Sequence, residues 1–202
     1  MESIWRGKLI ANPDVRQARV RRTAHRTRKR RNSIRGGRLW ASTAFGEPRF
    51  TNDVDILADF SEDSLRQFLA ALSPDFYADA DESLAAILRG GPFNVIYMPA
   101  AFKFDLFPAR SFPLGLQELD RAISLSGTQL SNAPAPFVTP EDILLAKLHW
   151  FRSGGEASEV QWRDIEGLVR GRAKTLDRAY LEAGADTLQV RDLLNRALGP
   201  VP

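Results

Sequence analysis

The sequence predicts an α+β protein: a small mixed or antiparallel sheet with flanking helices, followed by a C-terminal helical lobe. Three observations lead there. Asp53-Val54-Asp55 alternates acid and apolar residues before running into Ile56-Leu57-Ala58, as a strand does when it enters a core. Phe93–Met98 and Phe102–Phe107, separated by Pro99-Ala100-Ala101, read as two strands of an antiparallel hairpin. From Thr139 onward the apolar residues recur at helical spacing, interrupted by Gly154-Gly155.

Composition narrows the chemistry. At 202 residues and 44% hydrophobic content the chain is globular, with one compact domain or two small lobes. It contains no cysteine and two histidines, His25 and His149, without ligand-like spacing. Thiolate ligands are therefore excluded, and two histidines are a poor basis for a zinc site, which leaves carboxylates as the expected metal ligands. No apolar run approaches the ~18 residues of a membrane span, and no signal-peptide core follows the N-terminal charges, so the expected compartment is the cytoplasm.

The net charge of +3 conceals an asymmetry. Residues 1–38 hold 13 Lys or Arg against Glu2 and Asp14, and the remainder carries 15 basic and 23 acidic residues. Residues 16–38 contain ten Arg and one Lys without an acid or an aromatic residue. Such a segment neutralises nucleic-acid phosphates without reading bases. An Arg-rich, acid-poor N-terminus also fits an organelle presequence. Another reading is a change of start site or reading frame: Arg31-Asn32-Ser33-Ile34-Arg35 is too polar for a central strand. In that case another frame over the first ~38 codons encodes an apolar strand.

Gly36-Gly37 followed by Leu39–Phe45 predicts a tight turn into a helix. Arg49 and Thr51 stand just before the acidic strand, with Pro48 stiffening their turn. Arg49 either forks onto a phosphate or pairs with Glu47 or Asp53. Side chains two apart on a strand share a face, so Asp53 and Asp55 project together. Two carboxylates held so close repel, and a divalent cation between them relieves the repulsion; Mg²⁺ prefers a few carboxylates plus substrate phosphates. A solvated strand end is the plainer reading of the same pair.

Ser61 to Ser64 opens a helix with Leu65, Phe68, Leu69 and Leu72 on one side, and Asp81–Leu88 forms another, closed by Gly90-Gly91-Pro92. On the second hairpin strand Phe102, Phe104 and Leu106 share one face, and Lys103, Asp105 and Phe107 the other. Asp105 there is a third metal ligand or the partner of Lys103. Pro108–Pro136 reads as a link with a short helix near Leu116–Ile123. Thr139-Pro140-Glu141-Asp142 has the cap, proline and acids of a helix start. In that helix Lys147 rises from an apolar surface, where lysines ordinarily snorkel to water. A further helix over Ser158–Val169 carries Arg163-Asp164, and two more follow near Leu176–Ala183 and Val190–Leu198.

The set GGRLWASTAFGEPRFTNDVDI, the later Asp105 and the stretch EDILLAKLHWFRSGGEASEVQWRDIEGL together resemble the nucleotidyltransferase superfamily typified by DNA polymerase beta. More narrowly, they resemble the small bacterial nucleotidyltransferases related to the AbiEii toxins, over roughly residues 36 to 195. Beside the basic segment over residues 1–35, where a family member would carry an amphipathic helix and an apolar strand, the resemblance implies a catalytic core over 36–112 and a linker and helical lobe over 113–202. It implies that Asp53, Asp55 and Asp105 hold two Mg²⁺ ions and that Asp164 assists at the cleft. Gly36, Gly37, Ser42, Arg49, Thr51 and Lys147 would then meet the nucleotide triphosphate. Where the family usually carries Ser after the glycines, this chain has Arg38. The implied reaction moves a nucleoside monophosphate from an NTP to a hydroxyl on the 3′ end of tRNA, a protein or a small molecule. A toxin role with a cognate antitoxin goes with it. The alternative is a catalytically impaired member of the same fold that binds nucleic acid through its Arg-rich N-terminus.

Overall fold

The computed structural model describes residues 38–41, 53–125, 135–172 and 175–199, with side chains placed for all of these except 38–41, 53 and 135. The described residues form two compact units, one ending at Phe137 and the other beginning at Val138.

The first unit is built on a sheet of seven strands among the described residues: β1 (Arg38–Ala41), β2 (Asp53–Asp59), β3 (Phe76–Tyr77), β4 (Phe93–Tyr97), β5 (Phe102–Pro108), β6 (Ile123–Leu125) and β7 (Ala135–Phe137). Their order across the sheet is β3-β4-β5-β2-β1-β7-β6. The sheet is mixed: β2 runs parallel to β5 and β1 parallel to β7, and the other neighbours are antiparallel. The expected hairpin of β4 and β5 is present, closed by a 3-10 turn at Met98–Ala100 and left-handed Ala101.

Two expectations are corrected. The helix predicted to follow Gly37 is instead strand β1 as far as Ala41, because pairing with β2 in the register Trp40↔Leu57 overrides local propensity. Residues 42–45 lie outside the described residues. The stretch Pro108–Pro136, read from sequence as a link, contributes β6 and β7 to the sheet. Strands of three residues leave too little alternation to recognise.

One face of the sheet carries the core. Val54 and Ile56 of β2, Phe93, Val95 and Tyr97 of β4, and Phe102, Phe104 and Leu106 of β5 are buried there. Helices α1 (Glu62–Ala70) and α2 (Ala80–Leu88) cover them with Leu65, Phe68, Leu84 and Ala86. Ser61 and Ser64 start α1 by capping each other's backbone N–H groups, which fixes where the chain leaves β2.

The opposite face is covered by a helix at the Leu57 end. Leu57 points away from the core cluster yet is buried, and α3 (Gly115–Arg121) packs against β1 and β2. Gly115 lets the start of α3 sit against the 3-10 turn at Ala109–Ser111, since a Cβ there would fall 2.2 Å from the Ala109 carbonyl oxygen.

The second unit is helical: α4 (Pro140–Ser153), α5 (Glu159–Arg172), α6 (Arg178–Thr187) and α7 (Arg191–Leu198). Leu144, Leu145, Leu148, Phe151, Ile165, Leu181 and Leu194 form its interior. The cap predicted at Thr139 is made: its hydroxyl accepts from the Asp142 N–H and donates to the Asp142 carboxylate, which also accepts from the Tyr180 hydroxyl. Glu141 accepts from the Asp177 N–H, so the buried acids of α4 anchor the start of α6.

Candidate functional site

The parallel pairing of β2 with β5 decides the geometry. Its register sets Asp55 beside Asp105 and Asp53 beside Lys103. Register partners on neighbouring strands face the same side, with Cα atoms roughly 5 Å apart. Hence Asp55 and Asp105 stand on the face opposite the core formed by Val54, Ile56, Phe104 and Leu106. The two-residue period carries position 53 to that face as well.

Backbone hydrogen bonding thus brings together two acids 50 positions apart in the chain. Both are half-buried, the Asp105 side chain being 15% exposed. Its carboxylate lies 2.7 Å from the Lys103 ammonium on the same strand. The partner anticipated from sequence is therefore present. A lysine meets a carboxylate as a point charge on a flexible stem, which a competing cation can displace.

Asp59, at the far end of β2, is held differently. Arg110 donates from Nε to Oδ1 at 2.7 Å and from Nη2 to Oδ2 at 3.1 Å, a forked pair that fixes the residue structurally.

A third register step extends the row. Antiparallel pairing of β4 with β5 places Asn94 opposite Asp105 and Ile96 opposite Lys103, and β3 adds Tyr77 opposite Ile96. Asn94 and Tyr77 are exposed. Sequence reading passed over both, although the alternation of Phe93-Asn94-Val95 already turns Asn94 away from the core.

In the helical unit Lys147 of α4 lies 3.5 Å from Asp164 of α5, with side chains 33% and 19% exposed. The two residues picked separately from sequence thus meet each other. Arg163 is exposed beside them in sequence. Gly36, Gly37, Ser42, Arg49 and Thr51 lie outside the described residues, as does the basic segment 1–35. Among the described residues, no group of three or more His, Cys, Asp or Glu side chains is placed to hold a metal, and no helix is long and apolar enough to cross a membrane. The side chain of Asp53, expected as the third ligand, is not among those described.

The fold has a solved counterpart. It is similar to the crystal structure of an antigenic nucleotidyltransferase-like protein from Paracoccidioides brasiliensis, with a TM-score of 0.52 and 16% sequence identity over 96% of this chain and 93% of that one. No family model and no curated protein sequence matches the chain. The likeness shows an α+β nucleotidyltransferase-like fold, as the sequence predicts.

Proposed function

We propose that the protein is a metal-dependent nucleotidyltransferase that moves a nucleoside monophosphate from an NTP to a hydroxyl acceptor. The single observation that carries this reading is the register Asp55↔Asp105 on the face of a nucleotidyltransferase-like sheet that lies opposite the core. Two half-buried carboxylates side by side repel. Their placement becomes favourable beside a doubly charged cation, so the donor set suits Mg²⁺. Asp55 and Asp105, with Asp53, would hold it; when bound it would offset charge on the phosphates and lower the pKa of a bound hydroxyl.

The rest of the chemistry falls to the chain and its substrates. The acceptor oxygen forms a bond to the α-phosphorus, and the bond from that phosphorus to the bridging oxygen breaks. Pyrophosphate leaves with the electron pair, and the hydroxyl proton passes to a carboxylate oxygen of Asp105. Lys103, beside that carboxylate, neutralises it until substrate arrives and then lies on the face where phosphate charge gathers. Gly36, Gly37, Ser42, Arg49, Thr51 and Lys147 as triphosphate contacts, and Asp164 as an assisting acid, rest on the sequence resemblance. So do tRNA, protein or small-molecule acceptors and a toxin role with an antitoxin partner.

The test is transfer of label from α-³²P-NTPs in the presence of Mg²⁺ and cell extract. Wild type should label one class of acceptor, and Asp55→Asn and Asp105→Asn should each lower the rate by a factor of ~10² or more. Undiminished labelling by both variants would refute the assignment. RNA binding that survives in a wild-type protein with no transfer would favour the non-catalytic alternative, driven by the 13 basic residues of positions 1–38.

A further inference from the structure

Lys103 stands among the acids of β2 and β5. Register sets position 53 of β2 on one side of it and Ile96 of β4 on the other, and Asp105 lies two residues along its own strand. Its ammonium is 2.7 Å from the Asp105 carboxylate, and Asp55 is the register partner of that same Asp105. A cation of the chain itself therefore already does for Asp105 what a divalent ion would do. The two side chains differ in exposure, 42% for the lysine and 15% for the acid. The sheet fixes the acid, whereas the long stem of the lysine reaches water and can swing away. At the other end of β2, Asp59 is held by the two-pronged guanidinium of Arg110, which has no such freedom. One end of the strand pair thus carries a locking cation and the other an exchangeable one.

We infer that Lys103 makes metal binding and nucleotide binding depend on each other: it guards Asp105 in the empty protein and leaves when a triphosphate is there to receive its charge. This rests on the nucleotidyltransfer reading of the carboxylate pair and adds how that site is regulated. An ammonium tethered two residues from Asp105 competes with free cations at a high effective concentration. A divalent ion arriving alone must displace it and strand its charge beside the newly bound metal, so binding is weak. A metal arriving with a nucleotide meets a different balance. The phosphates carry several negative charges, and the displaced ammonium then has a partner for its flexible stem to follow. Loss of one ion pair is offset by gain of another, so each ligand tightens the other by the same factor. The half-buried acid is left uncompensated at no stage. Arginine would not serve here, because a fork on Asp105 is harder to displace. The protein therefore takes up divalent metal chiefly together with its nucleotide.

The experiment measures the Mn²⁺ affinity of the full chain with and without a saturating non-hydrolysable NTP, in wild type, Lys103→Met and Lys103→Arg. Mn²⁺ held by the nucleotide in solution is the same for every protein and cancels when they are compared. Without nucleotide, Lys103→Met should bind Mn²⁺ about fivefold or more tighter than wild type, and with nucleotide that advantage should shrink. Lys103→Arg should bind nucleotide-free Mn²⁺ more weakly than wild type although its charge is unchanged, so the readout follows displacement rather than net charge. With Mn²⁺ present, Lys103→Met should bind the NTP severalfold more weakly, having lost the ammonium that follows the phosphates. An advantage of Lys103→Met that is equal with and without nucleotide would reduce the lysine to simple charge repulsion and overturn the coupling. Equal nucleotide-free affinity in wild type and Lys103→Met would overturn it too. Asp55→Asn keeps the two ideas apart: Mn²⁺ binding that survives this change faults the carboxylate reading itself. Mn²⁺ binding that is lost in Asp55→Asn but indifferent to Lys103 faults the coupling alone.

Discussion

The acids of the sheet and the charged pair of the helical unit are held by different forces. Asp55 and Asp105 are neighbours because β2 and β5 hydrogen-bond in a fixed register, which the buried Val54, Ile56, Phe104 and Leu106 enforce. A slip of one residue would turn every one of these side chains to the wrong face. Lys147 and Asp164 meet at 3.5 Å through the reach of two side chains on packed helices. A pair of that kind, partly open to water, is worth little and rearranges easily. Geometry imposed by a core can therefore sustain an unfavourable approach of like charges, whereas the helical pair only has to avoid repulsion.

That contrast can be broken most forcefully from beneath. Leu106→Ala, next to Asp105 on the core side, should destabilise the fold by about 2–5 kcal/mol, and Leu144→Ala in α4 should cost a similar amount. Thermal unfolding measures both. If the register is what assembles the site, Leu106→Ala should also reduce transfer at temperatures where the protein remains folded, and equal residual activity in the two variants would weaken the distinction.

A smaller effect is expected at the helical pair. Lys147→Met should shift stability by less than about 1 kcal/mol after allowance for solvent screening. Any larger consequence should appear as a raised KM for NTP, the signature of a phosphate contact. An unchanged KM would leave Lys147 a plain surface partner of Asp164.

The smallest effect concerns pH. Burial pushes His149 below its ordinary range, so the folded state takes up its proton less readily than the unfolded chain. Its contribution to stability is then complete above about pH 6.5 and is lost as the pH falls through that value toward the folded pKa. Replacing His149 by Gln should flatten the denaturant midpoint between pH 7 and 5, and an unaltered slope would assign the dependence elsewhere.

Much of the fold was legible because its signals are local. The alternation of Phe102–Phe107, the Ser61 and Thr139 caps and the Gly154-Gly155 break each specify an element within a few residues, and the structure contains them all. Strand β1 was missed because Leu39-Trp40 suits a strand or a helix until β2 lies alongside. The short β6 and β7 were missed because three residues leave too little alternation to read. At the site, acids two apart on one strand could be read directly, but parallel pairing of β2 with β5 depends on contacts across 50 positions and has no local signature. Tyr77 escaped notice because a two-residue strand leaves no period to read.

The central claim is that Asp55 and Asp105 together bind a divalent cation. Titration of the full chain with Mn²⁺ in the presence of a non-hydrolysable NTP tests it most directly, whether or not an acceptor is known. Wild type should bind, Asp55→Asn and Asp105→Asn should each bind tenfold or more weakly, and Lys103→Met should bind more tightly because Asp105 loses its competing ammonium. The same affinity in all four proteins would contradict it.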